Sequence, residues 1–291
     1  YIGATISIHR RFDPSATLTA IEKDRPSLLV LVPATIAAIV QQSNWQTTDL
    51  SSLRIVTTGS SIVPRSLIEV WHDRGIPVIQ VYGSTETGPV ALYQREEDAM
   101  MSVGSTGRGA LHTELRIVDD AGDDVKPGAS GELLLRGPNL FKKYWKDRSA
   151  SEEAFEIDWF CTGDIGYRDE RGYVFINDRK TDVVISGGEN IYPAELEQVL
   201  DRIDGIAESS VVGAADDKWG EIPVAVVVIN KKSTITAEEI LSAFDGHLAR
   251  YKHPKAVSFI PALPRNVMGK VLKHELRRAV ENGTIPLSER C

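Results

Sequence analysis

Residues 82–88 combine the side chains that a nucleotide site needs. In the order Tyr82-Gly83-Ser84-Thr85-Glu86-Thr87-Gly88 they offer an aromatic face, a flexible backbone, hydroxyl groups and one carboxylate. Tyr82 ends an apolar run over residues 78–82 that predicts a buried parallel strand, and ligands bind at the carboxyl ends of such strands. Phosphate oxygens and a Mg²⁺ ion, which takes few protein carboxylates, suit this set. Taken alone, the segment fits a glycine-containing turn that caps a helix equally well.

Two further segments add charged groups. Thr162-Gly163-Asp164 places a carboxylate in a predicted tight turn, where it can accept hydrogen bonds from a sugar diol. An Asp in a turn without a ligand is the ordinary alternative. Residues 178–193 begin with the charged run Asp178-Arg179-Lys180-Thr181-Asp182 and include Gly187 and Gly188. Their position between two regions of different character is typical of a hinge, although a solvated linker also fits the charges.

Lys270 is the fourth candidate, beside Gly269 in the loop of residues 263–271. A lysine on a loop between apolar elements could be brought to a reacting anion. Its point charge would then stabilise phosphate and carboxylate oxygens together. Most loop lysines only make the surface soluble, so the residue alone does not decide between the two roles.

The elements that carry these candidates predict an α/β fold with three regions. Over residues 1–105 strands and helices alternate, which predicts a parallel α/β subdomain, part of a larger domain. Residues 106–178 contain short strands separated by turn residues and predict a small β-rich subdomain, a distorted barrel. Residues 179–182 are the predicted hinge, and residues 183–291 predict a compact α+β lid domain.

Local patterns predict individual elements. Residues 5–8 have the pattern of a strand, and the continuous apolar run 28–32 predicts a strand buried on both faces. Thr236 and Glu239 form a predicted capping box at the start of a helix, and a last helix is predicted over residues 273–281.

Composition excludes several classes of function. The 291 residues carry 33 Lys and Arg against 41 Asp and Glu, a net charge of −8, which argues against nucleic acid as a partner. The two cysteines, Cys161 and Cys291, predict no disulfide framework and therefore a cytoplasmic location. The longest apolar run is far shorter than the ~20 residues of a membrane-spanning helix, so no transmembrane segment is expected. The chain starts without Met inside a predicted strand, which suggests a piece of a longer protein.

In this order and at these spacings, the four segments resemble the adenylate-forming acyl ligases: acyl-CoA synthetases, luciferases and the adenylation domains of peptide synthetases. The resemblance covers essentially the whole chain and includes residues 131–138 and 251–255. Residues 186–193, Ser-Gly-Gly-Glu-Asn-Ile-Tyr-Pro, are most similar to the acyl-CoA synthetase branch. The resemblance implies two half-reactions. A carboxylate attacks the α-phosphate of ATP to give acyl-adenylate and pyrophosphate, and a thiol then displaces AMP.

The resemblance also implies a role for each candidate in the nucleotide site. Tyr82 would stack on adenine, within a binding segment that includes Gly83 and Ser84. Thr85 would hold the α-phosphate and Glu86 would bind Mg²⁺. The residues that would line the other side of adenine are Gly59, Ser60 and Ser61, and those that would hold the ribose hydroxyls are Asp164 and Arg179.

A moving lid is implied as well. Lys270 would bridge the acyl carboxylate and the α-phosphate in the first step and then leave as the lid rotates. Gly187 and Gly188 would let the pantetheine arm of CoA pass close to the backbone. The family often has Lys or Asp at the hinge position, whereas this chain has Thr181, a departure that we expect to alter the balance of lid orientations but not the chemistry.

One family feature is absent from the sequence. A Ser/Thr-Gly-rich phosphate loop with a Lys should precede Tyr82, and residues 102–109, which are Gly-rich, lack its Lys-Ser/Thr ending. We therefore interpret residues 102–109 as a connection, and the chain as the carboxyl-terminal portion of an AMP-forming acyl-CoA synthetase, inactive alone.

Two other functions remain open from the sequence. The chain could be an adenylation domain that loads a carrier-protein thiol, or a non-catalytic fragment with half a nucleotide site. A fragment would expose an apolar surface, for which a homodimer is one expected outcome. The acid itself, a fatty acid or another organic acid, cannot be read from these residues.

Overall fold

The computed structural model describes residues 3–266 and 269–290. It contains two compact units: unit 1 is Tyr1–Ala110 and unit 2 is Leu111–Cys291. The predicted α/β class is confirmed, with three sheets and several helices among the described residues. None of the helices in this described part has the length and apolar composition that crossing a bilayer requires.

Unit 1 is built on one mixed sheet with the strand order β1-β2-β3-β4-β5. The elements are α1 (Pro14–Asp24), β1 (Leu28–Leu31), α2 (Pro33–Val40), β2 (Ile55–Thr58), α3 (Arg65–His72), β3 (Val78–Tyr82), β4 (Leu92–Tyr93), α4 (Glu96–Ala99) and β5 (Arg108–Gly109). Strands β1, β2 and β3 are parallel, and β4 and β5 extend the sheet in antiparallel pairs. The carboxyl ends of β2 and β3 therefore lie at the same edge.

Two strand predictions in unit 1 are wrong. Residues 5–8 form no strand, and Ile6 and Ile8 are exposed, because an alternating pattern makes a strand only where a neighbouring strand satisfies its backbone. Strand β1 is where the apolar run predicts it, but Leu28 and Val30 are 55% and 83% exposed. The core of α1, α2 and α3 covers only the other side of β1, against Leu29 and Leu31.

The first part of unit 2 is an antiparallel sheet, as the β-rich prediction requires. Its elements are β6 (Glu114–Val118), β7 (Gly131–Arg136), α5 (Arg148–Glu153), β8 (Phe155–Glu156), β9 (Trp159–Arg168) and β10 (Val174–Arg179). The strand order is β10-β9-β7-β6, with β8 paired to β9. Strands β9 and β10 carry the two residues predicted to hold a ribose.

The second part of unit 2 is an α+β arrangement. Its elements are β11 (Val184–Ser186), β12 (Glu189–Ile191), α6 (Pro193–Leu200), β13 (Ile206–Asp216), β14 (Gly220–Ile229), α7 (Ala237–Ser242), β15 (Ala256–Phe259), α8 (Lys273–Glu281) and β16 (Ser288–Arg290). The strand order is β12-β11-β14-β15-β16, and β13 pairs with β14. Helices α6 and α7 cover one face and α8 the other, so alternate residues of β13 and β14 enter two separate cores.

Local signals place the helix ends in this part. The Thr236–Glu239 capping box is confirmed: the Glu239 N–H donates to Thr236 Oγ1 at 3.3 Å, and the Thr236 N–H donates to Glu239 Oε2 at 2.8 Å. Helix α8 has the predicted bounds. The four-part domain division of the sequence analysis remains a prediction.

Candidate functional site

In unit 1, the loop after β2 and the last turn of β3 lie side by side. Thr58 is opposite Gln80 in the parallel ladder, so Gly59 follows β2 where Val81 and Tyr82 end β3. A Cβ at Gly59 would lie 2.8 Å from the carbonyl oxygen of Val81, so only glycine allows this approach. The structure thus brings two predicted adenine-site segments together at one sheet edge.

Ser60 adopts an unusual backbone conformation in this loop. Its φ is +75°, in the left-handed region that non-glycine residues seldom occupy, and both Ser60 and Ser61 are exposed. Residues held in such conformations cluster at ligand sites, because strain there must be maintained by the surrounding structure. The conformation is consistent with the predicted contact of this loop with a ligand.

The segment after Tyr82 forms a closed turn. Thr85–Thr87 is a short 3₁₀ helix, in which the Ser84 N–H donates to Thr87 Oγ1 at 2.7 Å and the Thr87 hydroxyl donates to the Ser84 carbonyl at 3.1 Å. A Cβ at Gly83 would lie 2.0 Å from the carbonyl oxygen of Pro89, so glycine is required. The segment is therefore a capped turn that follows the carboxyl end of β3, and the nucleotide-binding role of Thr85 and Glu86 stays a prediction.

Two buried glutamines that the sequence analysis missed support β3. The backbone N–H of Gln80 donates to Gln94 Oε1 at 2.8 Å, and the side-chain amide of Gln80 donates to the Ser105 carbonyl at 3.0 Å. The Gln94 amide in turn donates to the Ser102 carbonyl at 2.8 Å. The Gly-rich residues 102–109 therefore brace β3, in agreement with their interpretation as a connection. The presence of Gln80 within an otherwise apolar strand is the sequence signal that could have indicated this buried hydrogen-bond network.

In unit 2, Asp164 and Arg179 form an ion pair. They are opposite each other in the β9–β10 ladder, with Arg179 Nε 2.9 Å from Asp164 Oδ1. The predicted tight turn at residues 162–164 is wrong, since Asp164 lies inside β9, where pairing with β7 and β10 keeps the chain extended on either side of Gly163. Gly163 has a φ of +69°, which makes the local irregularity.

Glu132 on β7 binds Gly163 and Lys180, the residues next to Asp164 and Arg179 in the chain. Its Oε1 accepts the Gly163 N–H at 3.2 Å, and its Oε2 accepts from Lys180 Nζ at 2.7 Å. The hydrogen bond to Glu132 raises the pKa of Lys180, so the lysine stays charged. Glu132 had no predicted role, because no local signal distinguishes it from other strand carboxylates.

The predicted hinge residue Thr181 is exposed in the 3₁₀ helix Lys180–Asp182, which joins β10 to β11. Gly187 and Gly188 form the turn from β11 to β12, with φ of +61° and +87°. The Gly187 N–H donates to the Trp219 carbonyl at 2.8 Å, and a Cβ at Gly187 would lie 2.9 Å from the Trp219 ring. Trp219, which the sequence analysis also missed, is 45% exposed beside this turn.

Lys270 is exposed at the end of a closed loop. Its N–H donates to Asn266 Oδ1 at 3.0 Å and its carbonyl accepts the Asn266 N–H at 2.9 Å. The Leu272 N–H donates to the Pro264 carbonyl at 2.9 Å, which closes the loop before α8. Val267 and Met268 of this segment lie outside the described residues. Backbone contacts at both ends thus anchor the lysine while its side chain faces solvent.

No group of three or more His, Cys, Asp and Glu side chains is placed to hold a metal ion within residues 3–266 and 269–290. The single carboxylate of Glu86, next to the Ser84 and Thr85 hydroxyls, is the kind of partial ligand set that Mg²⁺ uses when phosphate oxygens complete its shell. The residues present therefore fit a nucleotide-bound magnesium ion.

Two family models match the chain. The model of the AMP-binding enzymes matches residues 1–145, and that of the AMP-binding enzyme C-terminal domain matches residues 195–270. An indoleacetate–CoA ligase from Aromatoleum aromaticum is 50% identical over 97% of this chain and 55% of its own length.

Solved structures have the same fold. The o-succinylbenzoate CoA synthetase of Bacillus subtilis in complex with its acyl-adenylate intermediate has a TM-score of 0.84 and 36% identity, over 92% of this chain and 54% of that one. The same synthetase in complex with ATP and magnesium ion has a TM-score of 0.82 and 35% identity, over 92% of this chain and 55% of that one. The chain spans about half the length of these relatives.

Proposed function

Because the chain belongs to the family of AMP-binding enzymes, we propose that it takes part in ATP-dependent activation of a carboxylic acid and its transfer to CoA. The observation that carries the proposal is the Asp164–Arg179 pair: a mostly buried carboxylate and a half-exposed guanidinium meet across two strands. Together they offer an acceptor and donors, which is what two neighbouring ribose hydroxyls require. The 50% identity to a CoA ligase supports the same reaction.

In the first half-reaction, a carboxylate oxygen of the acid attacks the α-phosphorus of ATP. A new O–P bond forms, the bond to the β-phosphate bridging oxygen breaks, and pyrophosphate leaves with its electron pair. Thr85 would hold an α-phosphate oxygen, and Lys270 would neutralise charge shared by the carboxylate and the α-phosphate. Tyr82 would stack on the adenine, with Gly59, Ser60 and Ser61 on its other side.

In the second half-reaction, the CoA thiolate attacks the acyl carbon. The C–S bond forms, the C–O bond to the phosphate breaks, and AMP leaves. The turn at Gly187 and Gly188 has no side chains beyond Cα, so a narrow pantetheine arm could pass along its backbone. This step needs Lys270 less, because the negative charge of the acid's carboxylate has already been lost in forming the acyl–phosphate bond.

Mg²⁺ is part of the proposal. Bound to the nucleotide, it would supply positive charge to the phosphate oxygens. Glu86 is the carboxylate of this chain that would hold it, on the 3₁₀ helix that follows β3. The complex of the o-succinylbenzoate CoA synthetase with ATP and magnesium ion supports a role for Mg²⁺ in the reaction.

We propose an aromatic carboxylic acid as the substrate. The support comes from two relatives, the indoleacetate–CoA ligase and the o-succinylbenzoate CoA synthetase, whose named acids both contain an aromatic ring. A fatty acid is the alternative substrate class.

A cytoplasmic location is also proposed, supported by the free thiol of Cys161; Cys291 lies outside the described residues.

The test uses the intact protein and measures the release of AMP and pyrophosphate and the identity of the thiol that receives the acyl group. With ATP, Mg²⁺ and a panel of aromatic and fatty acids, the protein should release AMP and pyrophosphate in equal amounts and form an acyl-CoA when CoA is supplied. A peptide-synthetase adenylation domain would instead acylate a carrier-protein thiol and leave CoA free. Pyrophosphate release that does not depend on any carboxylic acid would contradict the proposed function.

A further inference from the structure

Lys273 is a buried cation in unit 2. It is the first residue of α8, its side chain is 17% exposed, and its Nζ lies 3.0 Å from Glu197 Oε1 and 3.7 Å from Asp178 Oδ2. Burial alone would lower the pKa of Lys273, but the charges of Glu197 and Asp178 outweigh it and raise that pKa. Lys273 therefore stays protonated and binds two carboxylates from α6 and β10.

Asp178 is the more deeply buried partner. Only 4% exposed, it accepts the Arg179 N–H at Oδ1 (2.9 Å) and the Ala194 N–H at Oδ2 (3.0 Å). Burial raises its pKa, and the Lys273 charge opposes this rise. Asp178 comes before the predicted hinge, whereas Ala194 and Lys273 come after it. The contacts of one carboxylate thus span the segment 179–182.

A second cation on the same face of α8 reaches the hinge itself. Arg277, four residues after Lys273, donates from Nη2 to the Thr181 carbonyl at 3.1 Å and lies 3.6 Å from Asp182 Oδ1. Residues four apart lie on one helix face. Helix α8 is therefore bound at two successive turns, to Asp178 just before the hinge segment and to Thr181 and Asp182 within it.

The same helix begins directly after the Lys270 loop. Lys270 precedes Lys273 by three residues, and the Leu272 N–H closes the loop onto the Pro264 carbonyl at 2.9 Å. On the other side, Arg179 is bonded through its N–H to Asp178 and through its side chain to Asp164. A continuous path of contacts therefore runs from the Lys270 loop through Lys273 and Asp178 to the proposed ribose pair.

We propose that Lys273 and Asp178 are positioning residues for Lys270. Their buried contact sets the place of the Lys270 loop relative to Arg179, so that the Lys270 ammonium meets the reacting groups of a nucleotide whose ribose Arg179 holds. The inference rests on the proposed function for the role of Lys270. A displacement of about 1 Å at such a group costs up to about 100-fold in rate, so an anchor of this kind has a measurable effect.

The experiment uses Asp178→Asn and Lys273→Met, singly and together, in the intact protein. Lys273→Met alone leaves Asp178 and Glu197 without their cation and destabilises the fold, whereas the double variant also neutralises the buried Asp178 and leaves only the partly exposed Glu197 unpaired. The double variant is therefore the informative one. Arg278→Gln is the matched control, because Arg278 is exposed on the same helix.

Measuring the two half-reactions separately distinguishes the positioning of Lys270 from a general structural effect of the substitutions. In the double variant, kcat for carboxylate-dependent pyrophosphate release should fall at least about tenfold, with KM for ATP within about twofold, because substrate binding persists while Lys270 is misplaced. Thioester formation from supplied acyl-adenylate should change less than about twofold. An equal fall in both half-reactions, or no fall in either, overturns the proposal.

Hydrogen exchange tests the anchor without catalysis. The Lys270 and Leu272 amides should exchange at least about tenfold faster in the double variant than in the wild type or Arg278→Gln, since local opening controls their protection. A wild-type protein that releases no pyrophosphate would defeat the proposed function, while this comparison would still test the anchor. Unchanged exchange in a folded double variant overturns the positioning role.

Discussion

The Asp164 carboxylate and the Arg179 guanidinium face each other across adjacent antiparallel strands, with Oδ1 and Nε 2.9 Å apart. The two partners differ in exposure, since the Asp164 side chain is 12% and the Arg179 side chain 51% exposed. The carboxylate is therefore fixed by its surroundings, whereas the guanidinium extends toward solvent. An ion pair with one solvent-exposed partner contributes little to stability, so a role in ligand binding is the more informative property to test.

Asp164→Asn should weaken AMP binding by about tenfold or more, because a hydrogen bond to a charged group contributes about 1.5–3 kcal/mol. Isothermal titration with AMP measures the change. Asp158→Asn, at the exposed turn between β8 and β9, is the control and should bind AMP as the wild type does. Adding Arg179→Gln to Asp164→Asn should cost less than Arg179→Gln alone, since the two residues act together. Unaltered AMP affinity in Asp164→Asn would contradict the ribose assignment.

The pairing itself could not be predicted from the sequence. Both residues were candidates, but the ladder that places them opposite each other has an irregularity between Ile176 and Asp178, and no local pattern specifies it. Gln80 and Gln94 were missed for a related reason, because their partners are backbone groups of a distant loop. Residue types identify candidate chemistry, whereas long-range pairing decides which candidates meet.

Gly187 and Gly188 form a matched pair for substitution. Alanine at either position has a left-handed φ, which costs about 1–2 kcal/mol. Only at Gly187 would the new Cβ also meet the Trp219 ring, at 2.9 Å, and such overpacking adds about 1–3 kcal/mol. Urea unfolding should therefore show Gly187→Ala less stable than Gly188→Ala by at least about 1 kcal/mol. Trp219→Ala should remove the difference, and equal stability of the two alanine variants would exclude the predicted clash.

Helix boundaries were largely predictable, whereas burial was not. The capping box at Thr236 and Glu239 acts over four residues, so the sequence contains all of its information. The burial of β1 depends instead on which elements cover each face of the sheet. An apolar run cannot specify that, which is why Val30 is 83% exposed where a buried residue was predicted.

Asp201, the C-cap residue that follows α6, predicts a pH dependence of stability. Desolvation, which is the larger cause, and the negative charge of Glu197 together raise the pKa of Asp201 to about 6. The unfolded chain titrates near its ordinary value of about 3.9, so between these values the folded state binds more protons. The free energy of unfolding should therefore decrease as pH rises through this window.

Asp201→Asn removes this titration. The variant should be more stable than the wild type at pH 7 and should match it near pH 4, as measured by urea unfolding at both values. Asp204→Asn, an exposed carboxylate three residues later, is the control and should show no such difference between the two pH values. An equal effect of Asp201→Asn at both pH values would contradict the raised pKa.

The exposed face of β1 predicts self-association. Leu28 and Val30 project from a strand that ends the sheet of unit 1, and exposed apolar strands favour pairing with a second copy. Sedimentation velocity over a concentration series should show the mass rise toward a dimer, and Val30→Lys should reduce that rise. Ile157→Lys, at an equally exposed position in unit 2, should leave it unchanged. A monomer at every concentration would count against the homodimer.

Lys270→Ala in the intact protein separates adenylate formation from the thioester formation that follows it. Carboxylate-dependent pyrophosphate release should fall about 100-fold or more, because one charge-stabilising group is lost from the first step. Thioester formation from supplied acyl-adenylate should fall far less, and the exposed control Lys231→Ala should alter neither step. Pyrophosphate release at the wild-type rate in Lys270→Ala would exclude Lys270, and with it the proposed adenylation site, from the first half-reaction.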